Sequence, residues 1–278
     1  MLQDTAERLR ARGLTPELLA TSRPGHAVEL ARAASRTRPS LVIAVGGDGT
    51  LRDVAEGLLG AEVPIALVPA GTGNDLARTL GIPRDPAAAL EVALEGAEER
   101  LDAWTWNDTL YVNIAGIGLD AAVAEAVNHR FRRLRGVAAY VAGFLSVFPR
   151  YPPFDLTLTW EGGGWSGRVW LAAFANGRCY GGGMQIAPGA DPADGLLDMV
   201  VIEAIPRPAL LRQFPKLFTG EHIRHPAVHI FRAPGVRVEC ARHTATIDGE
   251  LLGESPAVIA RCPHAVLVRV PAGAGRTH

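Results

Sequence analysis

The sequence has few cysteines, no excess charge and no long apolar run. Its three cysteines, Cys179, Cys240 and Cys262, lie far apart, which excludes the paired spacing of a zinc site or a thioredoxin-like centre. The net charge of −1 gives no basic character that would indicate nucleic acid. The longest weakly polar stretch, Val137 to Phe148, covers about half of the ~20 residues that a membrane-spanning helix needs. Because the first residues also lack a secretion signal, we expect a cytoplasmic protein without a transmembrane helix.

The pattern of the sequence changes near Asp102. Before it, short apolar strands such as Leu41 to Val45 and Ile65 to Val68 alternate with helical segments, which is typical of buried parallel strands. After it, strands such as Leu156 to Trp160 alternate apolar and polar residues, which is typical of antiparallel sheets. The prediction is the α/β class with two domains. An open α/β domain, 1–102, precedes a mostly antiparallel β-sandwich domain, 103–271, with a helical insertion near 121–148 and a disordered tail, 272–278.

A glycine-rich segment, Gly46-Gly47-Asp48-Gly49-Thr50, follows the first of these strands and leads into a helix. The glycines allow a close approach to the backbone, and the helix N-terminus supplies unpaired N–H groups, so the segment suits an anion. A carboxylate repels phosphate unless a divalent cation bridges the two, so Asp48 indicates Mg²⁺. Taken alone, such a segment is more often an ordinary strand-to-helix turn.

A second glycine-rich segment favours a binding site over an ordinary turn. Residues Pro69-Ala70-Gly71-Thr72-Gly73-Asn74-Asp75 follow the strand Ile65 to Val68 and again open a helix. The carboxyl ends of neighbouring parallel strands meet at one edge of a sheet, where open α/β sheets bind ligands. Two such loops side by side therefore favour a nucleotide site over two unrelated turns.

These two loops resemble the diacylglycerol kinase catalytic domain family, and the bacterial lipid kinases are its most similar branch. The resemblance continues through Asn113 to Gly118, Ala187 to Ala190 with Asp194 to Asp198, and Asp248-Gly249-Glu250, so it covers nearly the whole chain. The first pentapeptide is shared with NAD kinases and phosphofructokinases, whereas all five elements in this order are specific to the lipid kinases. The family usually opens with a strand and an Asn-Pro-x-x-Gly loop, and this chain starts at the helix that follows them.

The resemblance implies a role for each matching position. Nucleotide and Mg²⁺ would be bound by both loops and one upstream hydroxyl: Thr21, Gly46, Gly47, Asp48, Gly49, Thr50, Gly71, Thr72 and Asn74. Glu250 would be the base that accepts the proton of the lipid hydroxyl, and Asp48 and Asp102 complete the implied catalytic set. Asp191, Asp194 and the carbonyl of Leu196 would hold a structural divalent metal elsewhere. Taken alone, Asp248-Gly249-Glu250 indicates a hairpin turn, and an aspartate-rich loop is commonly just solvated.

The helical insertion joins a basic part to an apolar part. The basic residues are His129, Arg130, Arg132, Arg133 and Arg135, and the apolar part runs from Val137 to Phe148. This arrangement suits peripheral contact with anionic lipid headgroups, with the apolar part admitting a lipid. A helix packed on the second domain with solvated arginines explains the pattern equally well.

Together these features predict an ATP- and Mg²⁺-dependent lipid kinase that transfers the γ-phosphoryl group directly, in line, to a hydroxyl, with diacylglycerol as the default acceptor. The expected partners are ATP and a lipid at a membrane surface, with no nucleic acid and with a homodimer left open. Two alternatives remain. One is a kinase of a soluble acceptor such as NAD, and the other is a catalytically impaired, lipid-binding pseudokinase.

Overall fold

The chain forms two compact units in this computed structural model, which describes residues 1–131, 134, 136–264 and 266–273. Unit 1 comprises Met1–Leu101 and the segment from His264 onward, and unit 2 comprises Asp102–Pro263. None of the described helices is long and apolar enough to cross a membrane.

Unit 1 consists of helices and a four-stranded sheet. Its elements before residue 102 are α1 (Leu2–Ala11), α2 (His26–Ser35), β1 (Val42–Gly46), α3 (Asp48–Leu58), β2 (Ile65–Pro69), α4 (Asp75–Thr79), α5 (Pro86–Glu95) and β3 (Ala97–Leu101). All five residues of β2 are buried, as the uninterrupted apolar run predicts for a strand covered on both faces. Local chemistry also starts α5, because Asp85 accepts the N–H of Ala88 at 2.9 Å and Pro86 occupies the first turn.

Unit 2 contains an eleven-stranded antiparallel sheet that packs around an apolar core. Its elements are β4 (Trp104–Trp106), β5 (Thr109–Tyr111), β6 (Ile114–Gly118), α6 (Leu119–Arg130), α7 (Val137–Val147), β7 (Phe154–Trp160), β8 (Gly163–Ala175), β9 (Leu197–Glu203), α8 (Arg207–Gln213), 3₁₀ helices at Phe214–Phe218 and Glu221–Arg224, β10 (Val228–Ala233), β11 (Gly235–Cys240), β12 (Thr244–Ile247), β13 (Glu250–Glu254) and β14 (Ala257–Arg261). The strand order is β13-β12-β6-β8-β7-β11-β14-β4-β5, with β9 on β8 and β10 on β9. The predicted fold class is confirmed.

Two separate apolar clusters stabilise unit 2. The first fills the space enclosed by the strands and includes the fully buried Trp104, Tyr111 and Phe174. The second lies where α6, α7 and α8 cover strands β8 and β9, and includes Phe144 and Leu210. The helical insertion thus contains two helices, and Arg132, Arg133 and Arg135 between them lie outside the described residues.

The end of the chain differs from the sequence-based boundary at residue 271. The last strand, β15 (Val266–Val270), belongs to unit 1, where it pairs with β3 antiparallel and with β2 through Val268 and Ile65. The sheet order of unit 1 is therefore β1-β2-β15-β3. Buried valines alternate with the half-buried Leu267 and Arg269 along β15, which is typical of a strand, but this local pattern carries no information about its partner strands. Of the predicted tail, residues 274–278 lie outside the described part.

Helices α2 and α3 contact each other closely at Gly57. A Cβ atom at this position would lie 2.5 Å from the carbonyl oxygen of Val28 and 2.6 Å from the Cβ atom of Ala31. Both neighbours belong to α2, and the backbone oxygen cannot rotate away as a flexible side chain could. Glycine therefore sets the distance between the two helices.

Replacing Gly57 with alanine should destabilise the protein by about 1–3 kcal/mol, because the added methyl group forces α2 and α3 apart. The free energy of unfolding in urea measures this change. Gly189→Ala is the control, since a Cβ atom there meets nothing within 4 Å. Equal unfolding midpoints for the two variants would show that α2 and α3 leave room for a methyl group at residue 57.

Candidate active site

The two glycine-rich loops of unit 1 lie side by side. Strands β1 and β2 pair in parallel, with Gly46 opposite Pro69 at their carboxyl ends. The N–H of Ala70 donates to the carbonyl oxygen of Gly46 at 2.8 Å, so the loops are hydrogen-bonded where they begin. The two loops therefore lie next to each other at one edge of the sheet, as the sequence predicts.

Glycine is required where these loops touch. A Cβ atom at Gly71 would lie 2.5 Å from the Cα atom of Gly47, and one at Gly46 would lie 2.5 Å from the side chain of Thr50. Asn74 closes the second loop, since its Oδ1 accepts the N–H of Gly71 at 2.9 Å and its Nδ2 donates to the Gly71 carbonyl at 2.8 Å. Sequence reasoning attributed the glycines to phosphate approach, and the contact between the two backbones is a second reason for them.

Asp48 joins the two loops. Its Oδ2 accepts the N–H of Asp75 at 3.1 Å and its Oδ1 accepts the N–H of Leu76 at 3.1 Å. These are N–H groups of the first turn of α4, which have no partner within the helix and are stabilised by a carboxylate. The sequence predicted Asp48 as a magnesium-associated residue, and it did not reveal this capping role.

The N-terminus of α3 offers an anion site. Its N-cap residue, Gly47, provides no side-chain cap, and the first N–H groups of a helix lack partners within it. Residues 46–50 are partly exposed, so a ligand can reach these groups. Thr72 lies exposed in the second loop. Thr21 is exposed in the irregular segment between α1 and α2, and within the described residues it has no hydrogen bond to either loop.

In unit 2, Asp248 stabilises a tight turn and a neighbouring loop. Asp248 and Gly249 connect β12 to β13 with φ angles of 48° and 86°, a left-handed pair typical of two-residue hairpin turns. The Asp248 carboxylate accepts the N–H groups of Val112, Asn113 and Ile114, each at 3.0 Å. The segment is therefore the hairpin turn that its residues alone indicate, and it presents the exposed Glu250 at the start of β13.

Asn176 links this loop to Asp102. Its Nδ2 donates to the carbonyl oxygens of Asp102 at 2.9 Å and Val112 at 2.7 Å, and its Oδ1 accepts the indole N–H of Trp104 at 2.9 Å. The Asp102 carboxylate in turn accepts the N–H of Gly195 at 2.7 Å. Sequence reasoning missed Asn176. The one feature of the sequence that marks Asn176 is its position, as a single amide residue directly after the buried apolar end of β8.

An arginine forms ion pairs with the acidic loop that the sequence predicts as a metal site. Asp194 forms an ion pair with Arg232, whose Nε also lies 3.4 Å from Asp198. Asp191 accepts the N–H of Ala193 at 3.1 Å, and Asp194 accepts the N–H of Leu196 at 2.9 Å. No group of three or more His, Cys, Asp or Glu side chains suited to a metal occurs in the described part of the chain. Arg232 therefore supplies positive charge to two aspartates of the loop where the sequence predicts a metal.

An apolar cavity lies in unit 2 between α6, α7, α8 and strands β8 and β9. It is a narrow slot with a volume of about 50 Å³. Its walls include Val123, Phe144, Leu171 and Leu217. Phe144 of α7 stacks on Phe214 with ring centroids 4.1 Å apart. The sequence predicted an apolar part of the insertion that admits a lipid, but not the rest of this cavity, because nine of its fourteen lining residues come from residues 171–222.

Comparison with known proteins identifies the family. Residues 1–106 match the diacylglycerol kinase catalytic domain, and residues 113–270 match the YegS C-terminal NAD kinase beta sandwich-like domain. A diacylglycerol kinase from Mycobacterium tuberculosis is 34% identical over 271 residues, which are 95% of this chain and 87% of that protein. The chain belongs to the diacylglycerol kinase family of lipid kinases. The resemblance seen in the sequence is confirmed, and the enzyme is a lipid kinase.

Other relatives and solved structures agree. A Pseudomonas putida protein named as a YegS-like lipid kinase is 33% identical over 95% of this kinase and 88% of its own length. A Bacillus anthracis crystal structure, provisionally named a diacylglycerol kinase, covers 91% of this kinase and 83% of that chain, with a TM-score of 0.78 and 25% identity. The two units of the kinase therefore follow the fold of these proteins.

Gly71→Ala should lower the rate of phosphoryl transfer at least 10-fold, because the new methyl group meets the backbone of Gly47 and separates the two loops. Initial rates at saturating and limiting nucleotide would measure the loss. The overpacking cost to stability is about 1–3 kcal/mol. Gly189→Ala again serves as the control, and full activity in Gly71→Ala would mean that the loop contact is not needed.

Asp248→Asn should destabilise the kinase by about 1–3 kcal/mol, because an amide cannot accept all three N–H groups and one buried donor loses its partner. The free energy of unfolding measures the effect. Asp155→Asn on β7 is the matched control, since Asp155 is exposed and should change stability by less than about 0.5 kcal/mol. The interpretation is wrong if the two variants are equally stable.

Proposed function

We propose that this lipid kinase uses ATP with Mg²⁺ to phosphorylate the free hydroxyl of diacylglycerol, giving phosphatidic acid. The observation that supports a lipid over a soluble acceptor is the apolar cavity of unit 2, which offers aliphatic and aromatic side chains where a polar acceptor would need polar ones. The nucleotide binds to unit 1 and the lipid to unit 2.

The triphosphate of ATP binds at the N-terminus of α3. Its negative charge is stabilised by the unpaired N–H groups and by the helix dipole, with Thr50, Thr72 and Asn74 in the adjoining loops. Asp48 would help to hold Mg²⁺, since its two oxygens each accept one N–H group and keep further lone pairs. When bound, Mg²⁺ supplies charge neutralisation on the phosphates.

Glu250 acts as the general base. The lipid hydroxyl oxygen bonds to the γ-phosphorus, the bond from that phosphorus to ADP breaks, and the hydroxyl proton passes to the Glu250 carboxylate. An exposed carboxylate on the rigid β12–β13 hairpin suits this role because Asp248 holds the hairpin in place. Asp102 supports the site by positioning the 191–196 loop through its bond to Gly195.

The kinase associates peripherally with the cytoplasmic face of a membrane. Leu145 on α7 and Leu211 on α8 are 56% and 45% exposed, and each follows a residue that lines the cavity. Arg207, Arg212 and Lys216 lie on the same segment as Leu211. Exposed apolar side chains flanked by cations favour contact with an anionic bilayer.

A kinase of NAD is the second candidate, supported by the match of residues 113–270 to an NAD kinase-like sandwich. An NAD acceptor would bring a charged, polar molecule to unit 2. The cavity walls favour the lipid.

Transfer of radiolabelled phosphate from ATP with Mg²⁺ to diacylglycerol in mixed micelles tests the proposal. Glu250→Gln should lower kcat by about 10²–10⁴-fold, because the amide cannot accept the proton. Asp48→Asn should also lose activity, since its amide N–H₂ opposes the N–H of Asp75 or Leu76. Glu239→Gln, an exposed carboxylate on β11, should stay fully active.

The same assay with NAD as acceptor separates the two candidates. Label on NAD but on no lipid would reject the lipid proposal. Label on neither acceptor, with lipid still bound, would favour the pseudokinase. Unchanged lipid kinase activity in Glu250→Gln would remove Glu250 from its role as base.

A further inference from the structure

A carboxyl group is buried against the cavity of unit 2, and the described residues give it no salt-bridge partner. Asp120, the second residue of α6, lines the cavity and is only 7% exposed. Its Oδ1 accepts the N–H of Ala121 at 2.8 Å. Its Oδ2 is fully buried and has no hydrogen-bond partner in the part of the chain that the structure describes. A buried, unpaired polar atom is costly, so its retention needs a reason.

The strand beneath Asp120 leaves room for this carboxyl group. A Cβ atom at Gly116 of β6 would overlap Asp120 Oδ2, so any other residue would displace the oxygen. Gly118 then turns the chain into α6 with φ of 96°, a conformation that favours glycine. Both glycines thus contribute to placing Asp120 at the cavity wall.

The groups that face Asp120 do not carry a balancing positive charge. Tyr140 of α7, Tyr180 and His222 line the same cavity, and Tyr151 lies close enough for its charge state to couple to Asp120. No lysine or arginine occurs among the described residues of the cavity wall. Burial raises the pKa of Asp120 to about 8, raises the pKa values of Tyr151 and Tyr180, and lowers that of His222. At neutral pH the site holds a carboxylic acid among neutral side chains.

A carboxylic acid in an apolar slot is a hydrogen-bond donor. Its O–H needs an acceptor, and the described residues offer none to Oδ2. A lipid ester supplies one, because the ester carbonyl has lone pairs and no hydrogen to donate. A long-chain amine would instead require the ionised carboxylate, since an ammonium group donates and carries charge.

We propose that Asp120 binds the acceptor lipid by donating its carboxyl O–H to an ester carbonyl oxygen, and so selects neutral acylglycerols over lipids that carry an ammonium group. This inference rests on the proposed lipid kinase function and adds the chemical class that the cavity recognises. The acyl chain lies along the apolar walls, and the ester meets Asp120.

Three variants of the full chain test the role of Asp120. Asp120→Asn keeps the size and an N–H donor but cannot ionise, Asp120→Leu removes the donor, and Glu125→Gln changes an exposed carboxylate of the same helix. With dioctanoylglycerol at pH 7, Asp120→Leu should lower kcat/KM on the order of 10-fold through a higher KM. Asp120→Asn should stay within a few-fold of wild type, and Glu125→Gln should equal it.

The pH profile distinguishes a donor from a merely structural residue. Wild-type kcat/KM for dioctanoylglycerol should fall relative to that of Asp120→Asn as the pH rises through about 8, because ionisation removes the O–H. Gly116→Ala, which displaces Oδ2, should resemble Asp120→Leu while Asp120 remains in the sequence. Parallel pH profiles for wild type and Asp120→Asn would overturn the proposal.

Binding without nucleotide separates this inference from the proposed function. Dioctanoylglycerol and a long-chain amino alcohol are each titrated into the protein while tryptophan fluorescence is followed. The affinity is then measured whether or not phosphate is transferred. The inference is supported if Asp120→Leu binds dioctanoylglycerol more weakly than wild type and Asp120→Asn does not. This holds even if no form of the protein transfers phosphate, because that result would reject only the proposed function. Tighter wild-type binding of the amino alcohol that is lost in Asp120→Asn would reject it.

Discussion

The arrangement of unit 2 depends on one carboxylate, that of Asp248, which accepts three consecutive backbone N–H groups where the β5–β6 connection leads into β6. On one side this connection meets Asn176, and through it Asp102 and the 191–196 loop. On the other side it begins β6, whose end turns into α6 and places Asp120 at the cavity. Hydrogen bonds to a charged acceptor are stronger than neutral ones, so this one residue stabilises the start of β6.

Unit 1 uses the same interaction for its two glycine-rich loops. Asp48 accepts two N–H groups at the start of α4, and the bare glycine backbones of Gly47 and Gly71 pack against each other. An aspartate that the sequence associates with metal is thus also a structural cap. Stability and activity are coupled at such a residue, because its removal leaves backbone donors unpaired and lets the loops separate.

The mostly apolar wall of the cavity contains a carboxyl group, that of Asp120. Transfer of an unpaired carboxylate into such a site is so unfavourable that the group binds a proton instead, and a neutral acid is a donor suited to a neutral lipid. The exposed apolar residues near the cavity come from two separate parts of the chain. Sequence reasoning found the apolar stretch of α7, whereas its contact with the 207–218 segment, through the stacking of Phe144 on Phe214, is seen only in the structure.

By itself, the sequence determined the elements whose signals are local: the buried strands β1 and β2, the glycine-rich turns after them, the Asp-Gly hairpin and the family resemblance. Turn chemistry and hydrophobic periodicity involve adjacent residues, so they can be predicted directly. Only the tertiary structure decided which distant groups these elements meet. Arg232 in the acidic loop, Asn176 between Asp102 and Val112, and β15 beside β2 are all pairings between remote segments. Such pairings depend on how whole layers pack, and no local pattern specifies them.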